Sequence, residues 1–306
     1  MRRALALLAA LLLALPGATA LAQPVDDLQL ADTVIESVGW RLATANAAYC
    51  ANAAPSAGVL LQDARTFTDP AAARAAYGLK GDIAIAAVAV EGPTARIGLD
   101  ANVTVTAIAG QPVGALPVPR VGAWDRMFAL QDRLEQAVAR DGKVDLALAD
   151  GRVVSVPGEL ACAVRFQFDD SKGNAGATRH TVRIGRPLYA KVMGDEPLIA
   201  AMIAHEMAHA VLDHQTRIEA AHRAVGVVRA CEREADRLSI WLLAVAGYDP
   251  QAAPRMIARI GPGFQILFPS ASHGSWKGRV RDMTAEIATL HAAPDMDWRS
   301  RFRREP

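Results

Sequence analysis

His205-Glu206-Met207-Ala208-His209 sets two imidazoles four residues apart with a carboxylate between them. The preceding stretch, Leu198 to Ala204, is apolar throughout and reads as helix. On a helix, positions i and i+4 share one face, so both rings can reach a single metal ion. Glu206 stands beside them, placed to take a proton from a water that the metal activates. That residue set suits metal-assisted hydrolysis. The plainer alternative is a buried helix whose two histidines hydrogen-bond to their surroundings.

A catalytic zinc site takes three protein ligands and keeps one position for water. The extended pattern with a third histidine further along does not fit, because Leu212 stands where Gly is needed and Gln215 where His is needed. His214 is one residue off. On a continuous helix it lies about 500° around from His209, at about 100° per residue, and is expected to face away from the metal. A glutamate on a later helix is the other source. In Cys231-Glu232-Arg233-Glu234-Ala235-Asp236-Arg237, Glu232 and Asp236 share a face. Glu232 is expected to ligate. Asp236 is expected to accept a hydrogen bond from a ligand imidazole and so fix its tautomer. Glu234, about 200° around from Glu232, is expected to face solvent.

With these pieces and the turn Ala246-Gly247-Tyr248-Asp249-Pro250, the second half resembles the zinc metallopeptidases that include CAAX prenyl endopeptidases, HtpX-type proteases and periplasmic BepA-like proteases. The resemblance covers roughly Phe166 to His291. It implies a mainly helical gluzincin domain with a small edge hairpin, one zinc ion per chain, and Glu232 as third ligand. It also implies roles for His273, which would stabilise an oxyanion or gate the water, and for Arg279, which would support the site or bind substrate. The family's Thr-His-Pro is Ser272-His273-Gly274 here, without the proline.

The elements around this motif set its context. Asp27 to about Ala53 reads as an N-terminal helix (domain boundaries 23–53). Residues 54–160 read as a β-rich module with strands near 83–88, 103–108, 144–148 and 153–156, a hairpin turn at Asp150-Gly151, and one amphipathic helix near 124–139. The order of its motifs resembles a PDZ domain of the bacterial protease type. That resemblance makes Gly78-Leu79-Lys80-Gly81 the carboxylate-binding loop and Asp82 to Val90 the peptide-pairing strand. Gly92 to Leu99 would be the following turn and helix. A metallopeptidase domain would follow over 161–295, its strand near Thr181 open to an extended substrate, then a solvated basic tail over 296–306. The fold class expected is therefore α+β.

Arg2, Arg3, the apolar run Ala4 to Leu15 and two small-x-small sites read as a secretory signal over 1–22, with cleavage favoured after Ala22; an uncleaved anchor is the alternative. An exported chain meets oxidising conditions. Of three cysteines, Cys50 and Cys162 flank the β-rich module and are expected to form a disulfide, with Cys231 buried; three free thiols is the alternative. The 306 residues are 52% hydrophobic and carry a net charge of +1, which provides a core but no nucleic-acid footprint. No later segment reads as a membrane span. The expectation is an exported, periplasmic zinc endopeptidase acting on unfolded segments or C-termini of exported proteins. The competing class is a chaperone-like or peptide-binding protein with an occluded zinc site.

Overall fold

The structure is a computed structural model that describes residues 23–170, 173–267, 275–293 and 297–302. The signal segment 1–22 and His273 lie outside the described residues. The architecture is α+β, built on two separate apolar cores.

The N-terminal helix, Gln23–Ala45, belongs to the core of the second half rather than standing apart. Ile35, Val38 and Leu42 recur at helical spacing and are buried there with Phe166 and the motif segment. Gly39 permits the contact: a Cβ at that position would lie 2.2 Å from the Phe166 ring.

The β-rich module starts and ends side by side. Strand β1 (Ala53–Ser56) pairs antiparallel with the module's last strand, Glu159–Cys162, in the register Ala53↔Cys162. The Cys50–Cys162 disulfide closes that junction, with Cα atoms 5.5 Å apart, and Cys231 is free and buried. Inside the module, β2 (Val59–Asp63) pairs with β3 (Ile83–Val88). A second sheet runs in the order β5 (Gln111–Pro112), β4 (Val105–Ile108), β6 (Lys143–Leu148), β7 (Val153–Pro157). Gly151 supplies the positive φ, 89°, that the β6–β7 turn requires. Helix Asp125–Asp141 covers the sheets with Leu130, Leu134 and Val138, and ends at left-handed Gly142. Its Arg126 donates to Asp63 (2.7 and 2.8 Å) and Asp82 (3.0 Å), fastening the helix to β2 and to the start of β3.

The expected peptide-pairing strand is not an edge. All six residues of β3 are buried. One side pairs with β2, and on the other Ile85 exchanges hydrogen bonds with Val103 (3.0 Å) and Asn102 (2.8 Å). The loop before it is also committed: Gly78 and Leu79 donate to Ala75 and Arg74, and Lys80 N–H to Thr104. Gly78, Leu79 and Lys80 thus form a helix-ending turn, with Gly78 left-handed at the end of helix Pro70–Tyr77, and their amides are bonded within the module rather than free for a carboxylate.

The second half holds a three-stranded sheet in the order β10 (Gly176–Ala177), β11 (Thr181–Gly185), β9 (Arg165–Asp169). β11 is parallel to β9 and antiparallel to β10. The strand near Thr181 is therefore central, and the edge belongs to β10. Against the sheet packs the motif helix Glu196–Val211; the ligand helix Val225–Val245 and helix Ala252–Leu267 pack on that helix, and helix Trp276–Ala292 packs on those two. The basic tail, as far as it is described, is a docked helix, Trp298–Phe302. Trp298 and Phe302, one turn apart, are buried, Trp298 donates to Asn46 (3.1 Å), and Arg301 pairs with Glu286. No helix among the described residues is long and apolar enough to cross a membrane.

Candidate metal centre

The motif helix is buried on nearly every side, as its uniform apolarity requires. Asp195 caps its N-terminus by accepting from Leu198 N–H, and Pro197 occupies the first turn. His205 and His209 project from one face onto the ligand helix, which presents Glu232 and Asp236 one turn apart, both buried.

The three expected ligands converge. His205 Nε2 and His209 Nε2 lie 3.3 Å apart. Glu232 sets Oε2 3.7 Å from His205 Nε2 and Oε1 3.7 Å from His209 Nε2. Tetrahedral coordination with bonds of about 2.0–2.1 Å separates neighbouring donor atoms by about 3.3 Å. The two nitrogens and a Glu232 oxygen all lie within 4.8 Å of one another, close enough to share one ion, and this is the group among the described residues that could hold one.

Each imidazole is held from behind. His205 Nδ1 lies 3.1 Å from Asp236 in an oblique approach. Asp236 in turn takes both Arg279 Nε (2.7 Å) and Nη2 (2.5 Å). Burial alone would raise the Asp236 carboxyl, but the Arg279 guanidinium dominates and holds it well below the usual range. Burial likewise opposes charge on His205, and Asp236 more than offsets it, so the net direction is up. Arg279, expected to support the site or to bind substrate, pairs with Asp236 and also lines the cleft onto which the donors open.

His214 departs from expectation. The motif helix stops at Val211, and Asp213 adopts left-handed φ 49°, ψ 47°, before a new helix begins at His214 and runs to Ala220. The break turns His214 back, so that its Nδ1 meets His209 Nδ1 at 2.9 Å and its Nε2 meets Glu234 at 3.1 Å. Glu234 is not a solvated acid: it accepts from His214 and also from Arg217 at 2.9 and 3.0 Å. A carboxylate accepts only, so His214 donates from Nε2 and accepts at Nδ1. His209 then carries its proton on Nδ1 and turns a bare Nε2 toward Glu232. Burial, with His205 next to it, pushes His209 down to about 3 and keeps the ring in the neutral form that binds metal.

No family model matches this chain, and no curated protein matches it.

The donors open onto a cleft of about 430 Å³. Glu206 lies on its wall with the β10 edge (Ala175 to Thr178), and Ile218, Ile257, Ile260 and Trp276 give it an apolar side. Sequence reasoning missed the β10 edge and the apolar wall, since two residues of strand inside a polar loop leave no periodicity to read. It missed His214 because helical projection assumes an unbroken helix. The one signal was Asp213, a residue type that tolerates left-handed backbone.

Two expected outcomes follow from these supports. Asp236→Asn removes the nearer of Arg279's two carboxylate partners, leaving Glu232 at 3.9 Å, and is expected to weaken zinc binding about 10- to 100-fold, read by competition with a chromophoric chelator. His214→Phe keeps volume but removes the acceptor behind His209, and a loss of about tenfold is expected in the same titration. Unchanged affinity in either variant would show that the corresponding support does not orient its ligand.

Proposed function

We propose that this protein is a zinc-dependent endopeptidase acting on extended segments of unfolded or misassembled exported proteins. The observation that carries the reading is the convergence of His205, His209 and Glu232 on one point beside Glu206 in an open cleft. Zinc bound there would act as a Lewis acid, lowering the pKa of an attacking water toward neutrality and polarising the scissile carbonyl. Glu206 takes a proton from that water as its oxygen bonds to the carbonyl carbon, then passes the proton to the leaving nitrogen as the C–N bond breaks. The β10 edge lies along the same cleft, where an extended chain could add as a further strand. The Cys50–Cys162 bond supports an oxidising compartment, hence an exported, periplasmic protein. The β-rich module is PDZ-like in the order of its motifs, with β3 paired on both sides rather than open to a peptide.

Metal analysis of the chain purified without added metal, together with cleavage of reduced, unfolded casein, tests this. One zinc per chain is expected, with cleavage lost on chelation and restored by zinc. A zinc-loaded chain that leaves casein intact would overturn the peptidase reading in favour of a binding or chaperone-like protein.

A further inference from the structure

A second cleft, also about 430 Å³, opens where the N-terminal helix, β1 and β2, helix Asp125–Asp141 and the start of β9 meet. It is anionic. Glu36 reaches it from the N-terminal helix, and Asp132 and Glu135 from the facing helix. Of its two basic residues, Arg165 and His180, the arginine is already taken: it donates to Asp132 at 2.6 Å and to both oxygens of Glu135 at 2.8 Å. Asp32, one turn before Glu36, accepts from the Phe168 N–H.

Glu36 has no such partner. Only 6% of it is exposed, and it makes no hydrogen bond or ion pair among the described residues. Burial, with Glu135 and Asp32 nearby, pushes it up to about 8. An unsatisfied buried carboxyl costs stability, and Gln or Leu would be cheaper to bury at that position. A buried carboxyl without a partner at a cleft wall points to a ligand that supplies the missing charge.

The shape of the cleft narrows the choice. The oxygens of Glu36, Asp132 and Glu135 do not converge as closely as the donors of the metal centre, so together they do not form a seat for a bare metal ion. Leu60, Leu134 and Ala139 line the same cleft and would lie along an aliphatic stem. We propose that this cleft binds an alkylammonium group, a lysine side chain or a free primary amine, with Glu36 as its counter-ion. Thr178 lines the metal cleft and Thr181 lines this one, so the two clefts flank a single turn. A polypeptide whose lysine sits here would pass close to the β10 edge.

The site is tested by binding alone, without reference to peptidase activity. The full chain, kept in chelator, is titrated with fluorescent acetyl-Ala-Ala-Lys-Ala-Ala-amide and with the same peptide carrying norleucine in place of lysine. The lysine peptide is expected to bind about tenfold tighter or more, and Glu36→Gln to erase the difference. Competition by n-butylamine would assign recognition to the ammonium and its stem. Failure of n-butylamine to compete would assign it to lysine held within a polypeptide. Glu36→Gln is expected to melt at or above the parent's temperature, because a neutral amide is easier to bury. Equal binding of the two peptides, a preference that survives Glu36→Gln, or a Glu36→Gln chain that melts well below the parent would each overturn the assignment.

Discussion

Glu206→Gln is expected to bind zinc as the parent does and to cleave unfolded casein about 10²- to 10⁴-fold more slowly, the range that positioned proton transfer supplies. The residue lies on the same turn as both histidine ligands but contributes nothing to the set that could hold the ion, which is His205, His209 and Glu232. The amide keeps the shape and hydrogen-bonding reach of the carboxylate and loses only its basicity. Zinc stoichiometry and affinity should therefore stay fixed while turnover collapses. The same split separates this role from that of Glu232, whose replacement by Gln should lower metal affinity and activity together. A Glu206→Gln chain that cleaves at the parent's rate would remove Glu206 from the chemistry. One that loses zinc would make it a ligand or a structural prop.

How much of this centre the sequence discloses depends on whether a residue acts through an unbroken element. His205, His209, Glu232 and Asp236 lie within two continuous helices, so i, i+4 spacing places their side chains correctly. His214 lies beyond a break, so helical projection gives it the wrong surroundings, and Glu234, though on the continuous ligand helix, is given solvent because its partner is that redirected His214. The break itself is a left-handed Asp213, a single-residue event that periodicity does not register. The same limit governs the strands. β3, β6 and β7 are legible because apolar runs and the Asp150-Gly151 turn mark them. Which side of β3 stays open is a matter of tertiary pairing, and β2, hidden in the unremarkable run Val59-Leu60-Leu61-Gln62-Asp63, occupies one side. The tail misleads for a related reason. Its arginines suggest solvent, while Trp298 and Phe302, one turn apart, carry the docking face.

The loss of the Cys50–Cys162 bond in Cys50→Ala/Cys162→Ala is expected to lower stability by about 4–5 kcal/mol, read as a shift of the urea midpoint. The two cysteines stand 112 residues apart in sequence, so the bond removes a large loop entropy from the unfolded chain. The folded state should change little. The β1 pairing with the last strand of the module holds the same ends together from Ala53↔Cys162 onward, and alanine fits where both sulfurs are already buried. The double variant retains Cys231 as its one thiol, and that side chain is buried, so thiol exchange does not complicate the readout. None of the metal donors lies in the stapled module, and their supports sit on helices of the other core. Zinc affinity under folding conditions is therefore expected to equal that of the parent, while the chain unfolds at lower urea. Identical urea midpoints for variant and parent would mean that the bond is absent from the purified protein or idle in it. A coupled fall in zinc affinity would mean that the module, through its junction with the N-terminal helix, holds the metal centre in shape.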